Sequence, residues 1–295
     1  MSQTGIPNNS IALLCNPLAG KGKAVSIVAH LQDRLKESSV PYQLFTSEWP
    51  VAFNLFSSVW LVGGDGTLNY FINKYPDLSI PIALFKGGSG NDFAWKLYGN
   101  ISVDEYYSLV LNGNLIKVDA GICNGKYFIN GVGIGFDGEI VKSMGSKRFL
   151  SAGHLAYLSV VIRKIFAYHE NDFDFTINDI HRSERLFMIS VANGSRYGGG
   201  FLVAPQADIS DNNLDVVLIK KITPLMRFIC LPKVEKGKHI SLSFAECLKT
   251  KIITIHSDKV VAAHLDGELM ENRNFEISIL PGKFRFYSRL IQATS

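Results

Sequence analysis

Val59-Trp60-Leu61-Val62-Gly63-Gly64-Asp65-Gly66-Thr67-Leu68-Asn69-Tyr70-Phe71-Ile72-Asn73-Lys74 is the stretch from which the rest of the chain is read. Four apolar residues, Val59 to Val62, run into a glycine-rich pentapeptide, and Leu68, Phe71 and Ile72 then recur at helical spacing. A buried strand therefore turns sharply into a helix. Such a turn suits a phosphate group, because glycines let backbone N–H groups approach an anion and the helix N-terminus adds the positive end of its dipole. Asp65 stands out there, since a carboxylate beside phosphates needs a bridging cation. The plainer alternative is a tight strand-to-helix turn with Thr67 as N-cap.

Two further loops repeat the pattern. Ser10 to Cys15 reads as a buried first strand that ends in Asn16-Pro17-Leu18-Ala19-Gly20-Lys21-Gly22-Lys23, and a helix follows over 24–36. This loop lacks the GxxxxGK[ST] spacing of a P-loop. Tyr42 to Thr46 is a second strand and Ile80 to Phe85 a fourth, which delivers Gly87-Gly88-Ser89-Gly90-Asn91-Asp92-Phe93-Ala94 into a helix over 92–97. Strands alternating with helices predict a parallel sheet covered on both faces, with ligands bound beyond the carboxyl ends of its strands. All three glycine loops fall on that edge. Asn91 and Asp92 either cap their helix or contact nucleotide or substrate hydroxyls.

Composition narrows the function classes. The 295 residues are 47% apolar, enough for two ordinary cores. A net charge of +4 without a basic-aromatic patch sets nucleic acid aside. Cys15, Cys123, Cys230 and Cys247 are widely spaced and form no CxxC pair, the pattern of reduced cytosolic thiols. The histidines show no zinc-ligand spacing. The N-terminal MSQTGIPNNS has no signal pattern and Leu155 to Ile162 is too short to span a bilayer, so a soluble or peripheral protein is expected.

From Gly121 the pattern changes to β-rich runs at Tyr127 to Val132, Phe173 to Ile177, Leu186 to Ala192, Leu214 to Lys220, Ile252 to His256 and Phe275 to Leu280. Turns at Asn178-Asp179 and Asp211-Asn212-Asn213 separate some of them, as in an antiparallel sandwich. The expected domains are 1–122 and 123–295, with the last residues returning to the first. One apolar helix, 153–168, presents Leu155, Leu158, Val161, Ile162, Ile165 and Phe166, either to a core or to an acyl-chain pocket or membrane. In Gly133-Ile134-Gly135-Phe136-Asp137-Gly138, Asp137 is a polar anchor in a cleft or a turn residue. Near the end, Asp266 and Glu268 occupy alternate positions of an extended segment, so both side chains can face one way and divide proton abstraction from metal holding. The alternative is a polar hairpin tip with Asp266-Gly267 as its turn.

GGDGT (63–67), GGSGND (87–92), GIGFDG (133–138), NGSRYGGGFLVAPQADISDNNLDVV (193–217) and DGE (266–268) occur in the order found in the diacylglycerol kinase catalytic-domain family. The chain resembles its bacterial soluble lipid kinases, relatives of sphingosine kinases, from Asn16 to about Phe286. The resemblance implies an α/β fold: a Rossmann-like three-layer nucleotide domain, shared with NAD kinases, plus a C-terminal β-sandwich. It also implies transfer of the γ-phosphoryl group of ATP to the hydroxyl of a diacylglycerol-like or sphingoid lipid in an inter-domain cleft. By that likeness Asn16, Gly63, Gly64, Asp65, Gly66, Thr67, Gly88 and Ser89 bind ATP, and Asn91 and Asp92 order the cleft. Asp266 is the base with support from Glu268, and Asp65 is the alternative base. A structural magnesium maps to Asp208, Asp211 and Asn213, through the Asp211 carboxylate and backbone carbonyls of the other two, while a catalytic magnesium bridges the phosphates. The chain departs from the family's GGDGTxxEVxNG at Tyr70, in place of glutamate, and at Lys74, in place of glycine; Ser89 replaces a threonine.

Two other readings compete: an NAD kinase, and a non-catalytic lipid- or nucleotide-binding regulator. Lys142, Lys147, Arg148, Arg163 and Lys164, around the apolar helix, either form a solvated charged face or meet an anionic membrane. The expected location is cytoplasmic, with peripheral contact to the inner membrane face left open. A homodimer is left open.

Overall fold

The computed structural model describes residues 9–145 and 154–290, and of 154–158 only the backbone. The chain divides into two compact units, Met1–Val118 with Gly282–Ser295, and Asp119–Pro281.

The first unit is an α/β layer structure. Strands β1 (Ser10–Cys15), β2 (Tyr42–Phe45), β3 (Phe56–Gly63) and β4 (Ile82–Lys86) form a parallel sheet in the order β2-β1-β3-β4. β1 and all but one residue of β3 are buried, which is why they read as continuous apolar runs. The helices are α1 (Lys23–Glu37), α2 (Asp65–Lys74), α3 (Asp92–Tyr98) and α4 (Val103–Leu111). The last of these was not expected from its sequence, although Ser102 and Glu105 form a capping box at its start. The last residues of a long strand, β13 (Glu268–Tyr287), close this sheet, with Phe286 opposite Ile82 in parallel register.

The second unit holds β5 (Leu115–Cys123, from Asp119 on), β6 (Lys126–Phe128), β7 (Gly131–Gly135), β8 (Asn171–Ile177), β9 (Ile180–Ala192), β10 (Leu214–Lys220), β11 (Ala245–Thr250), β12 (Ile252–Leu265) and most of β13. β9 and β12 are long enough to change partners along their length. Each pairs with β8 at one end and β7 at the other, all antiparallel. Strands that switch partners bend the sheet around a core, as in a sandwich. Phe173, Phe175, Ile189, Val191, Val216, Ile255, Phe275 and Ile277 fill that core.

A second apolar cluster lies under helices α5 (Phe136–Met144), α6 (His154–Ala167) and α7 (Pro224–Glu235). Val161 and Ile165 of α6 are buried in it, Ile162 is half-buried and Phe166 is exposed, so the inward stripe is narrower than the sequence suggests. The side chains of Leu155 and Leu158 lie outside the described residues. The strand expected at Tyr127 to Val132 is broken between Phe128 and Gly131, for a reason that belongs to the site below. Among the described residues no helix is long and apolar enough to cross a membrane. Cys15, Cys123 and Cys230 are buried free thiols, and Cys247 is exposed.

Candidate functional site

In the first unit the loops after β1, β3 and β4 pack backbone to backbone. Gly87 donates its N–H to Gly63 O at 2.8 Å, and Asp65 N donates to Gly90 O at 3.3 Å. A Cβ at Gly88 would fall 2.3 Å from Gly64 Cα, and one at Gly63 would fall 2.5 Å from Thr67 Cβ. Both positions thus exclude any side chain, whatever ligand is present.

Asp65 opens α2, but its carboxylate serves the next helix. Oδ2 accepts from Asp92 N at 2.9 Å and Oδ1 from Phe93 N at 3.0 Å, which caps α3. Asn91 is the N-cap residue of α3 yet makes no side-chain cap. Its amide instead braces the loop, taking Gly88 N at 3.1 Å and giving to Gly88 O at 2.9 Å. Thr67 is not an N-cap either: Gly64 holds that place, and the buried Thr67 Oγ1 accepts from Asn16 Nδ2 at 2.9 Å. Asp92 is buried and Ser89 exposed.

Asn16, Gly66, Thr67, Thr46, Tyr70 and Lys74 are among the residues lining an open cleft of about 470 Å³. Two of the three departures from the family pattern, Tyr70 and Lys74, meet there. Lys74 Nζ lies 5.7 Å from the Tyr70 ring centre and 5.9 Å from that of Trp49, which packs edge-on to Tyr70 at 5.5 Å. An aromatic and ammonium cluster stands where the family has a carboxylate.

In the second unit Asp266 and Glu268 do not share a face. Asp266 and Gly267 have φ of 47° and 90°, the two left-handed residues of a hairpin turn between β12 and β13. Asp266 is buried and Glu268 exposed. The extended-segment reading is corrected accordingly. Asp266 Oδ2 accepts from Ile129 N at 2.8 Å, and Oδ1 from Asn130 N and Gly131 N, both at 2.9 Å. Those three amides, turned onto a carboxylate rather than a neighbouring strand, are what interrupt the run from Tyr127 to Val132.

Asp137 is no turn residue. It sits in the first turn of α5, at the edge of a largely apolar cavity lined by Phe136, Val161, Ile165, Phe187, Tyr197 and Leu231 among others. Tyr197 Oη donates to Asp137 Oδ2 at 2.8 Å and lies 2.9 Å from Ser190 Oγ. The His264 ring packs edge-on to Tyr197 at 5.1 Å. Burial pushes the Asp137 carboxyl up to about 6, against the Tyr197 hydrogen bond, and burial lowers His264 to about 4. The sequence signals were Tyr197 within the 193–217 block and the glycines before Asp137; nothing pointed to His264.

At the positions expected to hold a structural magnesium, side-chain contacts engage the acidic residues. Lys249 Nζ is paired with the Asp211 carboxylate and lies 3.7 Å from Asp215 Oδ2. The Asp208 carboxylate accepts from Ser210 N and Oγ, at 3.0 and 2.9 Å, and Asn213 Nδ2 donates to Asp211 O at 2.8 Å. An exposed lysine thus shares the one carboxylate that site would use. Among the described residues no group of three or more His, Cys, Asp and Glu is arranged to hold a metal. The basic cluster is also dispersed: Lys142 pairs with Glu271 and Lys164 with Glu139, Arg163 is exposed, and Lys147 and Arg148 lie outside the described residues.

A parallel sheet carrying three interlocked glycine loops, followed by a bent antiparallel sandwich, defines the class of α/β proteins with a β-sandwich second unit. Residues 10–123 match the family described as diacylglycerol kinase catalytic domain, and residues 130–288 match the YegS C-terminal NAD kinase beta sandwich-like domain. The chain belongs to the diacylglycerol kinase catalytic-domain family, with the YegS type of sandwich. It is 29% identical over 226 residues, 75% of this chain and 72% of the other, to a Chromohalobacter salexigens protein named probable lipid kinase YegS-like. A Yersinia pestis protein of the same name is 28% identical over 234 residues, 76% of each chain. The crystal structure of a diacylglycerol kinase from Bacillus anthracis superposes with a TM-score of 0.74, covering 95% of this chain and 97% of that one at 19% identity, a likeness of fold.

Proposed function

We propose that the chain is a lipid kinase that transfers the γ-phosphoryl group of ATP to a lipid hydroxyl. The observation that carries this reading is the cavity in the second unit, apolar along its walls and bearing the buried Asp137–Tyr197 pair. An acyl chain suits the walls, and a hydroxyl suits the carboxylate. NAD offers no apolar tail for such a cavity, which disfavours the NAD kinase alternative.

ATP would lie on the first unit, its phosphates at the amides of 63–67 and the start of α2, with Asn16, Gly88 and Ser89 beside it. Its accompanying magnesium would neutralise phosphate charge as the terminal group moves. Asp65, whose carboxylate accepts from the amides of Asp92 and Phe93, would stand beside that ion at the start of α2. Three amide donors favour a positioning role for Asp266 over that of general base, because its carboxylate is largely spent on holding 129–131 in place. Glu268, exposed, would act on neither. The place of action would be the cytoplasmic side of a membrane, where ATP is available.

The test is transfer of labelled phosphate from magnesium-ATP to a panel of diacylglycerol, monoacylglycerol, sphingosine, ceramide and phosphatidylglycerol, with NAD included. A labelled lipid is expected, with loss of roughly 10²-fold in Asp137→Asn. For Asp266→Asn, activity should fall together with thermal stability; a stable but inactive variant would restore the base role. Labelling of NAD and of no lipid would overturn the proposal.

A further inference from the structure

Helix α7 faces the wrong way for a helix between a core and water. In its first two turns Arg227 is buried, while Leu225 is 64% and Ile229 52% exposed, with Phe228 and Met226 beside them. Arg227 is held inside: it pairs with Glu170, donates to Ile165 O at 2.9 Å, Tyr168 O at 2.8 Å and Ile222 O at 3.0 Å, and lies over the Phe187 ring at 4.5 Å. The inversion is therefore fixed by a satisfied network. A rotation of the helix would strand a buried guanidinium's partners. Phe166 of α6 extends the outer patch, its ring 6.4 Å from that of Phe228.

Charge selects the occupant. Between residues 220 and 239 the exposed Lys220 and Lys221 precede the patch, and the exposed Lys233, Lys236 and Lys238 follow it. Glu235 is the only acid in that segment. An apolar patch ringed at both ends by long cationic side chains is the pattern of a helix lying in a bilayer interface, where the apolar face enters the acyl boundary and the lysines meet anionic headgroups. A second protein copy would bring the same lysines against themselves.

We infer that the outer face of α7, with Phe166, is a docking surface for an anionic lipid bilayer. The opposite face of α7 supplies Arg227, Cys230, Leu231 and Val234 to the apolar cavity, so the helix that touches the bilayer also walls the cavity. The passage of an acceptor lipid from one to the other rests on the lipid kinase reading; the docking does not.

The test is co-sedimentation of the full chain with phosphatidylcholine vesicles that contain or lack phosphatidylglycerol, at low and high salt. Binding is expected to be about tenfold or more stronger with phosphatidylglycerol and to weaken with salt. Phe228→Glu/Ile229→Glu should lower it by about tenfold or more, and Lys233→Gln/Lys236→Gln/Lys238→Gln should remove most of the salt dependence. Phe228→Ser/Ile229→Ser, expected to keep the fold, guards against misfolding of the glutamate variant, with thermal unfolding as the control. No preference for the anionic vesicles, or unchanged binding in a folded double variant, overturns the inference. So does a dimer in solution that the double variant dissociates without altering vesicle binding. Phosphorylation of diacylglycerol in detergent micelles should survive the double variant. If no lipid is phosphorylated but the vesicle results hold, docking stands and the lipid kinase reading falls.

Discussion

Asp137 and His264 flank the same glycine, and their titrations oppose each other. A Cβ at Gly133 would fall 2.6 Å from His264 Nε2 and 2.9 Å from Asp137 Oδ2. Asp137 titrates at about 6 in the fold against 3.8 for an ordinary aspartate, so between those values the folded chain holds the extra proton and stability falls as pH rises. His264 titrates at about 4 against 6.5, so across that interval the unfolded chain holds the extra proton and stability rises with pH. Each effect is on the order of 3 kcal/mol, and in the wild type they nearly cancel. Urea denaturation should separate them. Asp137→Asn is expected to gain stability from about pH 4 to 6.5 and His264→Asn to lose it over about pH 4 to 6, by about 3 kcal/mol each. Parallel slopes in the two variants would refute the opposition.

At the scale of the element, the Asp65 carboxylate, expected beside a phosphate-bound cation, also caps a helix one strand away. Asp65→Ala should cost about 1 to 2 kcal/mol, and Asp65→Asn, which keeps one acceptor, about half of that. Equal losses would remove the cap from the account. The glycine loops were legible because their signal is local: strand, glycines and helical spacing lie within sixteen consecutive residues. The cap that Asp65 makes was not legible because its partners, Asp92 and Phe93, are 27 and 28 positions away. Helix α7 was not legible at all, since an inward Arg227, outward Leu225 and Ile229, and an internal Pro232 erase the 3.6-residue stripe. Asp266 and Glu268 were placed on one face because alternation holds in a strand, and the left-handed pair Asp266-Gly267 is where the strand stops.

At the scale of the molecule, the first unit is completed by the far end of the chain. Phe284 and Phe286 are buried there, Phe286 packs against Phe93 at 5.1 Å, Tyr106 Oη donates to Tyr287 O at 3.1 Å, and Ser288 Oγ donates to Leu97 O at 2.7 Å. Truncation after Pro281 should therefore cost the first unit about 5 kcal/mol, mostly the burial of two phenylalanines. Hydrogen exchange would read it: amides of β4 and α3 should lose protection, while those of β9 and β10 keep it.

That arrangement also sets an order of events at the ribosome. The α/β unit begins to emerge first and is finished last, because its closing strand residues, 282–287, follow the whole of the second unit. At synthesis rates of about 5 to 20 residues per second, the interval between residue 118 and residue 287 is on the order of 10 s. For that time the nascent chain carries an open β4 edge next to apolar α3, a template for unwanted strand pairing and a natural target for a holding chaperone.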